Sequence, residues 1–409
     1  MLPLEKASTI LKAHPLCDHC LGRQFFHEVG GRNSDQELGR DIRLALKLPE
    51  IETSECYLCS QLRPELEKLV QGVSQRTAGI EFRTFLVGLS VPRDTVDLED
   101  ELRIRYSLLG SESIRRELSR EVGERLSGML DREVDFEKPD VTFIFDLSAR
   151  PGKLIIQINP VFILGRYRKL QRGISQTDRF CPSCRGKGCE LCFFTGYENE
   201  ESVESLISKP IARAFRSNEW KFHGAGREDV DARMLGSGRP FVVESLRPMK
   251  RFVDMAKIQG EINQKSLGKI EVLGLEESTR RHMQHIKTKK FDKTYEVVVG
   301  VPGKFDEEKL GAIPGILTGC EIRQQTPVRV IPRRKDAIRR RIVKDLEITD
   351  RNTEKGTFTI RVRCESGLYV KELVTGDGGR TQPNISELIE VENLEVRTLD
   401  VVRVHDEFS

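Results

Sequence analysis

The chain has 409 residues, 38% hydrophobic and 32% charged, with a formal net charge of +3. That length allows about two to four domains and a sizeable core, and the composition is that of a soluble globular protein, neither disordered nor membrane-embedded. No run approaches the roughly 18 apolar residues of a membrane helix. Met1–Leu16 holds neither an uninterrupted apolar stretch nor a cleavage-like site, so no export signal is read and a cytoplasmic location is expected.

Residues 1 to 75 hold two Cys-x-x-Cys pairs flanked by helical patterns, among them Asp35–Lys47, whose apolar residues recur at helical spacing. From 76 to 178 an amphipathic, charge-rich helical stretch near Ser113–Leu130 is followed by strands at Val141–Leu147 and Leu154–Ile158, with Ala149-Arg150-Pro151-Gly152 as the turn between them. A short Cys- and Gly-rich knot occupies 179–197. From 198 to 409 strands and helices alternate. Thr294–Val299 and Thr357–Arg363 read as strands, the latter with Phe358, Ile360 and Val362 on one face and Thr359, Arg361 and Arg363 on the other.

Eight of the ten cysteines fall in four Cys-x-x-Cys pairs, leaving Cys320 and Cys364 alone. Without an export signal, such pairs read as metal ligands before disulfides. Cys17-x-x-Cys20 and Cys56-x-x-Cys59 stand 35 residues apart and can close one tetrahedral zinc site, whose binding would help a small domain to fold. Cys181, Cys184, Cys189 and Cys192 lie within twelve residues, with Gly186 and Gly188 permitting the tight return between hairpins. Zinc is expected there too, an iron–sulfur cluster being the rival for four thiolates. Neither set leaves an open ligand position, so both are expected to be structural.

Basic residues cluster twice: Arg280, Arg281, Lys287, Lys289, Lys290 and Lys293, then Arg329, Arg333, Arg334, Arg339, Arg340 and Arg341. Such clusters can neutralise phosphates in a nearly neutral chain, or can be plain solvated faces. The stretch His223–Glu244 (HGAGREDVDARMLGSGRPFVVE) packs four acids, three arginines and four glycines around one expected loop. An arginine two residues before an aspartate can pair with it and hold it ionised. By itself the stretch would equally suit a polar surface loop.

Gly226-Arg227-Glu228-Asp229 resembles the G-R-x-D motif shared by several pseudouridine synthase families, and the longer run is similar to the Pus-ten family of tRNA pseudouridine synthases. Lys293-Thr294-Tyr295 resembles the K-x-Y strand of those enzymes. Ser366-Gly367-Leu368-Tyr369-Val370-Lys371-Glu372-Leu373 resembles their S-G-x-Y-I-[KR] motif, and Gly376-Asp377-Gly378-Gly379-Arg380-Thr381 follows as in the family. Val134–Leu147 and Pro160–Gln176 look like a THUMP domain, and both cysteine groups match the archaeal layout. Gln324–Val330 also fits, whereas Pro332 stands where the family pattern has a histidine.

The resemblance implies an α+β, multidomain protein: a zinc-stabilised helical N-terminal part (1–75), a THUMP-like α/β RNA-binding domain (76–178), a second four-cysteine metal knot (179–197) and a pseudouridine synthase catalytic domain (198–409) with a mixed, mainly antiparallel sheet and a central cleft. It implies a tRNA partner, a uridine at position 54, 55 or both as target, and no organic cofactor; a monomer is expected. It makes Asp229 the nucleophile, with Asp231 and Glu228 as alternatives. Tyr295 would stack on the flipped base and assist proton removal at C5, Lys371 or Arg227 would pair with Asp229, and Leu373 would wall the pocket; Tyr369 belongs to the same substrate-binding set. The THUMP-like segment would grip the acceptor end, and the arginines at 329–341 would track the RNA backbone. A THUMP-bearing methyltransferase would instead need a Gly-rich cofactor loop after a strand, and Gly236-Ser237-Gly238 lies in the wrong context for one. A thiolation enzyme would need an S-G-G-x-D-S loop, which is absent. A zinc-stabilised RNA-binding protein without catalysis would have no use for the three motifs in register.

Overall fold

The computed structural model describes residues 2–29, 34–60, 62–198 and 201–406. It divides into two compact units, Met1–Pro160 with Arg247–Arg251, and Val161–Leu246 with Phe252–Ser409.

The first unit opens with helices Leu4–Ala13, Asp18–Arg23 and Asp35–Ala45. Ser34 caps the third, its hydroxyl accepting from the Glu37 amide at 3.1 Å, and the helix ends before the expected Lys47. A Cβ on Gly22 would lie 1.8 Å from the Asp35 carbonyl oxygen, and one on Gly39 1.8 Å from that of Asp18. The second and third helices therefore cross backbone against backbone, an approach that only glycine permits. Four strands follow, in the order Glu133–Val134, Thr84–Ser90, Val141–Asp146, Lys153–Ile158, the first two pairings parallel and the last antiparallel. Val141, Phe143 and Phe145 alternate into the core. Helix Ile114–Leu130 presents Ile114, Leu118, Val122 and Leu126 to that same core, one face at a four-residue repeat. Leu62, Leu66 and Val70 join it, so residues 1–75 share one core with the sheet and do not form the separate domain expected.

The second unit is built on a ten-stranded sheet. Its order is Thr381–Gln382, Glu321–Gln325, Ile338–Asn352, Thr357–Cys364, Asp292–Gly300, Glu395–His405, Arg233–Leu246, Val161–Lys169, Ile270–Ser278, with Glu219–Gly224 also pairing Arg233–Leu246. Every pairing is antiparallel except that of Glu395–His405 with Arg233–Leu246, so the mixed, mainly antiparallel sheet is observed and its one parallel join lies near the middle. Phe358, Ile360 and Val362 are buried, as their alternation predicts.

The boundary expected at 178 falls elsewhere. Val161–Lys169 pairs with Arg233–Leu246 and Ile270–Ser278, so the segment Pro160–Gln176 read as THUMP-like contributes a strand to the second unit instead. The knot at 179–197 belongs to that unit as well.

Candidate active site

The G-R-x-D motif sits in the turn between strands Glu219–Gly224 and Arg233–Leu246, beside the parallel join. Much of the stretch expected as one loop is thus strand. Three buried groups fix the turn. Lys169 donates to the carbonyls of Ile174 at 2.8 Å, Asp229 at 3.0 Å and Val230 at 3.0 Å. Glu228 turns inward, accepting from Tyr167 at 2.9 Å and pairing with Arg239 Nε at 2.9 Å. Gln176 Nε2 donates to the Gly226 carbonyl at 3.0 Å. With φ of +84° and Arg239 and Lys293 within 3.2 Å of any added Cβ, position 226 demands glycine.

Glu228 is therefore structural, and its side chain and that of Arg239 are both fully buried. Glu228→Ala should cost about 3–5 kcal/mol by stranding the guanidinium. Urea denaturation checks this, with Tyr167→Phe expected to cost about 1 kcal/mol.

Asp229 points the other way, its carboxylate 46% exposed. Arg329 Nη1 lies 3.1 Å and Lys371 Nζ 3.8 Å from Asp229 Oδ2. Arg329 also donates through Nε to buried Glu372 at 2.6 Å, so it bridges the two acids. Lys371 sits closer to Asp231, at 2.6 Å, and this contact outweighs partial burial to hold the Asp231 carboxyl below its usual range. Arg227 lines the same cavity, yet its contact is with Thr177 Oγ1 at 3.5 Å; the pairing with Asp229 expected of it is made by Arg329.

These residues border a cavity of about 1040 Å³, lined also by Tyr295, Tyr369 and Lys293. Nine Arg and Lys residues line it against four acidic ones, of which Glu228 turns its carboxylate away, a balance that suits a polyanion. Four of the nine, Arg329, Arg334, Arg339 and Arg341, come from the second basic cluster, and Lys290 and Lys293 come from the first. The side chain of Arg333 lies outside the described residues. Tyr369 is held at its backbone by buried Gln324, which accepts from its amide at 2.8 Å and donates to its carbonyl at 3.0 Å. The guanidinium carbons of Arg329 and Arg339 each stand 5.9 Å from its ring. Tyr295, on strand Asp292–Gly300, has its phenol pushed up by burial, so it stays protonated at neutral pH. Leu373 departs from expectation: it is fully buried in the core with Leu310, Ile313 and Phe358 and does not line the cavity.

Burial, reinforced by Arg239, lowers Lys293 to about 8. An unfolded lysine titrates near 10.4, so between these values the unfolded chain holds more protons and stability rises with pH. The penalty is full below about pH 8 and gone above about 10.4. Urea unfolding of wild type against Lys293→Met should show the wild type gaining on the order of 3 kcal/mol relative to the variant from pH 7 to 10.5.

Both cysteine sets close up as spaced. The Sγ atoms of Cys17, Cys20, Cys56 and Cys59 lie within 4.8 Å of one another, as do those of Cys181, Cys184, Cys189 and Cys192. In the second set Cys181–Cys189, Cys184–Cys192 and Cys189–Cys192 are 3.8, 3.7 and 3.7 Å apart. Four sulfurs at 2.3 Å from a tetrahedral ion stand about 3.8 Å apart, so the spacing fits one ion. Backbone amides of Gly188, Cys189 and Gly196 donate to these sulfurs at 3.2, 3.2 and 3.3 Å, as suits charged thiolates. A third group, His19 with Glu117 and Glu121, is already engaged by Arg63, which reaches both acids.

Among the described residues, no helix is long and apolar enough to cross a membrane. A family model described as Pus10, C-terminal matches residues 162–405, and one described as Pus10 THUMP domain, archaeal, matches 69–146. The protein named tRNA pseudouridine synthase Pus10 in Methanothrix thermoacetophila is 38% identical, over 98% of this chain and 94% of its own length. Those of Methanopyrus kandleri and Pyrococcus furiosus are 37% and 38% identical, each over 99% of this chain and over 99% and 98% of their own lengths. A solved Cbf5-Nop10-Gar1 complex aligns at 17% identity and a TM-score of 0.32, over 58% of this chain and 50% of that one, a likeness too slight to argue from. The first model covers more than half of the chain and the relatives nearly all of it, and so the chain belongs to the Pus10 family of tRNA pseudouridine synthases.

Proposed function

We propose that this protein isomerises uridine to pseudouridine at position 54, 55 or both of the TΨC loop of tRNA, with Asp229 as nucleophile. The observation that carries the reading is the half-exposed Asp229 carboxylate, facing a cavity whose charged lining is mainly cationic and which it shares with Tyr295. The tRNA elbow stacks its bases, so the target must be flipped out to reach such a site. The cavity has room for a nucleotide with flanking backbone.

The reaction breaks the N1–C1′ bond, turns the uracil and forms a C5–C1′ bond. The proton on C5 leaves to an acceptor and N1 gains one, so substrate and product are isomers. A carboxylate nucleophile splits this exchange into two easier steps. Arg329 and Lys371 flank the Asp229 carboxylate, and a protonated Tyr295 suits a flat wall for the base better than a proton acceptor. The loose uracil must not escape, which calls for a walled site. The arginines of 329–341 would neutralise the phosphates, so affinity should fall steeply with salt. The first unit, part of which matches the THUMP model, would hold another part of the tRNA.

Zinc is the proposed ion of both cysteine sets, since their sulfur spacing suits a single ion better than a cluster several atoms across. When bound, the metal would cross-link the hairpins and would take no part in the reaction.

The test is position-resolved mapping of pseudouridine in an unmodified tRNA transcript and in transcripts with cytidine at 54 or 55. Conversion that disappears only when the matching uridine is replaced supports the reading. Conversion outside the TΨC loop would overturn the site assignment.

A further inference from the structure

We propose that the cysteine knot 181–196 is a base-stacking finger, whose exposed aromatic side chains take unpaired bases of the RNA entering the adjoining cavity. This rests on the reading of that cavity as the uridine site.

The knot turns its cysteines inward, Cys181 and Cys192 buried and Cys184 and Cys189 half-buried, and displays its apolar side chains. Phe193 is 87% exposed, Leu191 80%, Phe194 73% and Phe180 65%. The display is built into the backbone. Phe193 and Phe194 have φ of 49° and 61°, in the left-handed region that bulky residues rarely adopt. Main-chain bonds impose it: the Phe193 amide donates to Glu190 at 3.0 Å and the Phe194 amide to Cys189 at 2.8 Å. Gly188 leaves room for the Phe194 carbonyl, which would stand 2.8 Å from any Cβ there. A strained turn that holds two phenyl rings outward has no packing reason to do so.

The occupant follows from charge and continuity. Between Cys181 and Cys192 the charged residues are Arg185, Lys187 and Glu190, and both cations are exposed, which favours a phosphate backbone. Arg179, Phe180 and Glu198, at the base of the knot, line the Asp229 cavity. The Phe180 ring stacks on Tyr197 at 5.4 Å and 20°, so an aromatic platform stands at the rim of the site. A flipped uridine leaves unstacked neighbours that need flat partners, and phenyl faces accept any base.

The test uses the full-length chain with Phe193→Ala/Phe194→Ala, and Phe193→Trp/Phe194→Trp as the conservative pair. Affinity is measured at one salt concentration for an unmodified tRNA transcript and for a blunt RNA duplex, alongside metal content and circular dichroism. The expected result is unchanged metal content, tRNA affinity lowered about tenfold or more, duplex affinity nearly unchanged, and the tryptophan pair binding at least as well as wild type. Unchanged tRNA affinity, or equal losses for transcript and duplex, overturns the proposal. If wild type makes no pseudouridine while the alanine pair still weakens tRNA binding, the finger stands and the reading of the cavity falls.

Discussion

Asp229→Asn should leave tRNA bound and pseudouridine unmade. The amide matches the carboxylate in shape, and Arg329 keeps its bond to Glu372, so the turn should hold. What goes is the nucleophile, and the turnover rate should fall by about 10⁴-fold or more, with tRNA affinity within a few-fold of wild type. Asp231→Asn separates the neighbours. Asp231 is exposed and held by Lys371, so its loss frees that lysine to close on Asp229 and should cost less than about tenfold. Single-turnover rates with excess enzyme measure both. Equal losses in the two variants would argue that the acids act through charge on the cavity and that neither attacks the substrate.

Removing the first metal should be the most damaging change to the fold. Cys17, Cys20, Cys56 and Cys59 are all buried in the core of the first unit. A structural zinc site contributes about 10–16 kcal/mol in small domains, comparable with the whole stability of many proteins. Cys56→Ala should therefore lose one metal ion per chain, unfold the helices around the site and open the first unit to proteolysis. Cys184→Ala should lose the other ion with damage confined to the knot, which is mostly exposed. Elemental analysis with limited proteolysis reads both. A Cys56→Ala protein that resists protease like wild type would show that packing alone holds the unit.

What the sequence disclosed and what it hid follow from how each feature is encoded. The cysteine ligands are legible because their spacing is local and thiolates in that pattern have few other uses. Strand Thr357–Cys364 is legible because its alternation maps directly onto a buried and an exposed face. Strand Val161–Lys169 shows the limit: the resemblance places this segment with the THUMP-like domain, and nothing local in its residues says which sheet it joins. Arg329 is visible in the sequence only as one member of a basic cluster, since its partner Asp229 is 100 residues away. Arg227, adjacent in sequence, is the natural expectation, but the turn aims it at Thr177. Leu373 lies within a motif that borders the cavity, yet it occupies the inward face of helix Val370–Thr375 while Lys371 takes the outward one. The lock formed by Glu228, Arg239, Tyr167 and Gln176 joins two segments 61 residues apart at Tyr167 and Glu228, and no local pattern marks the four as a set.

The central claim is tested most directly by tritium release from an unmodified tRNA transcript carrying uridine tritiated at C5, with purified wild-type protein. Forming the C5–C1′ bond must expel the C5 hydrogen. The account predicts release into water of at most two equivalents per tRNA, all of it from the TΨC loop, and none with Asp229→Asn. Tight tRNA binding by wild type with no tritium released would contradict it.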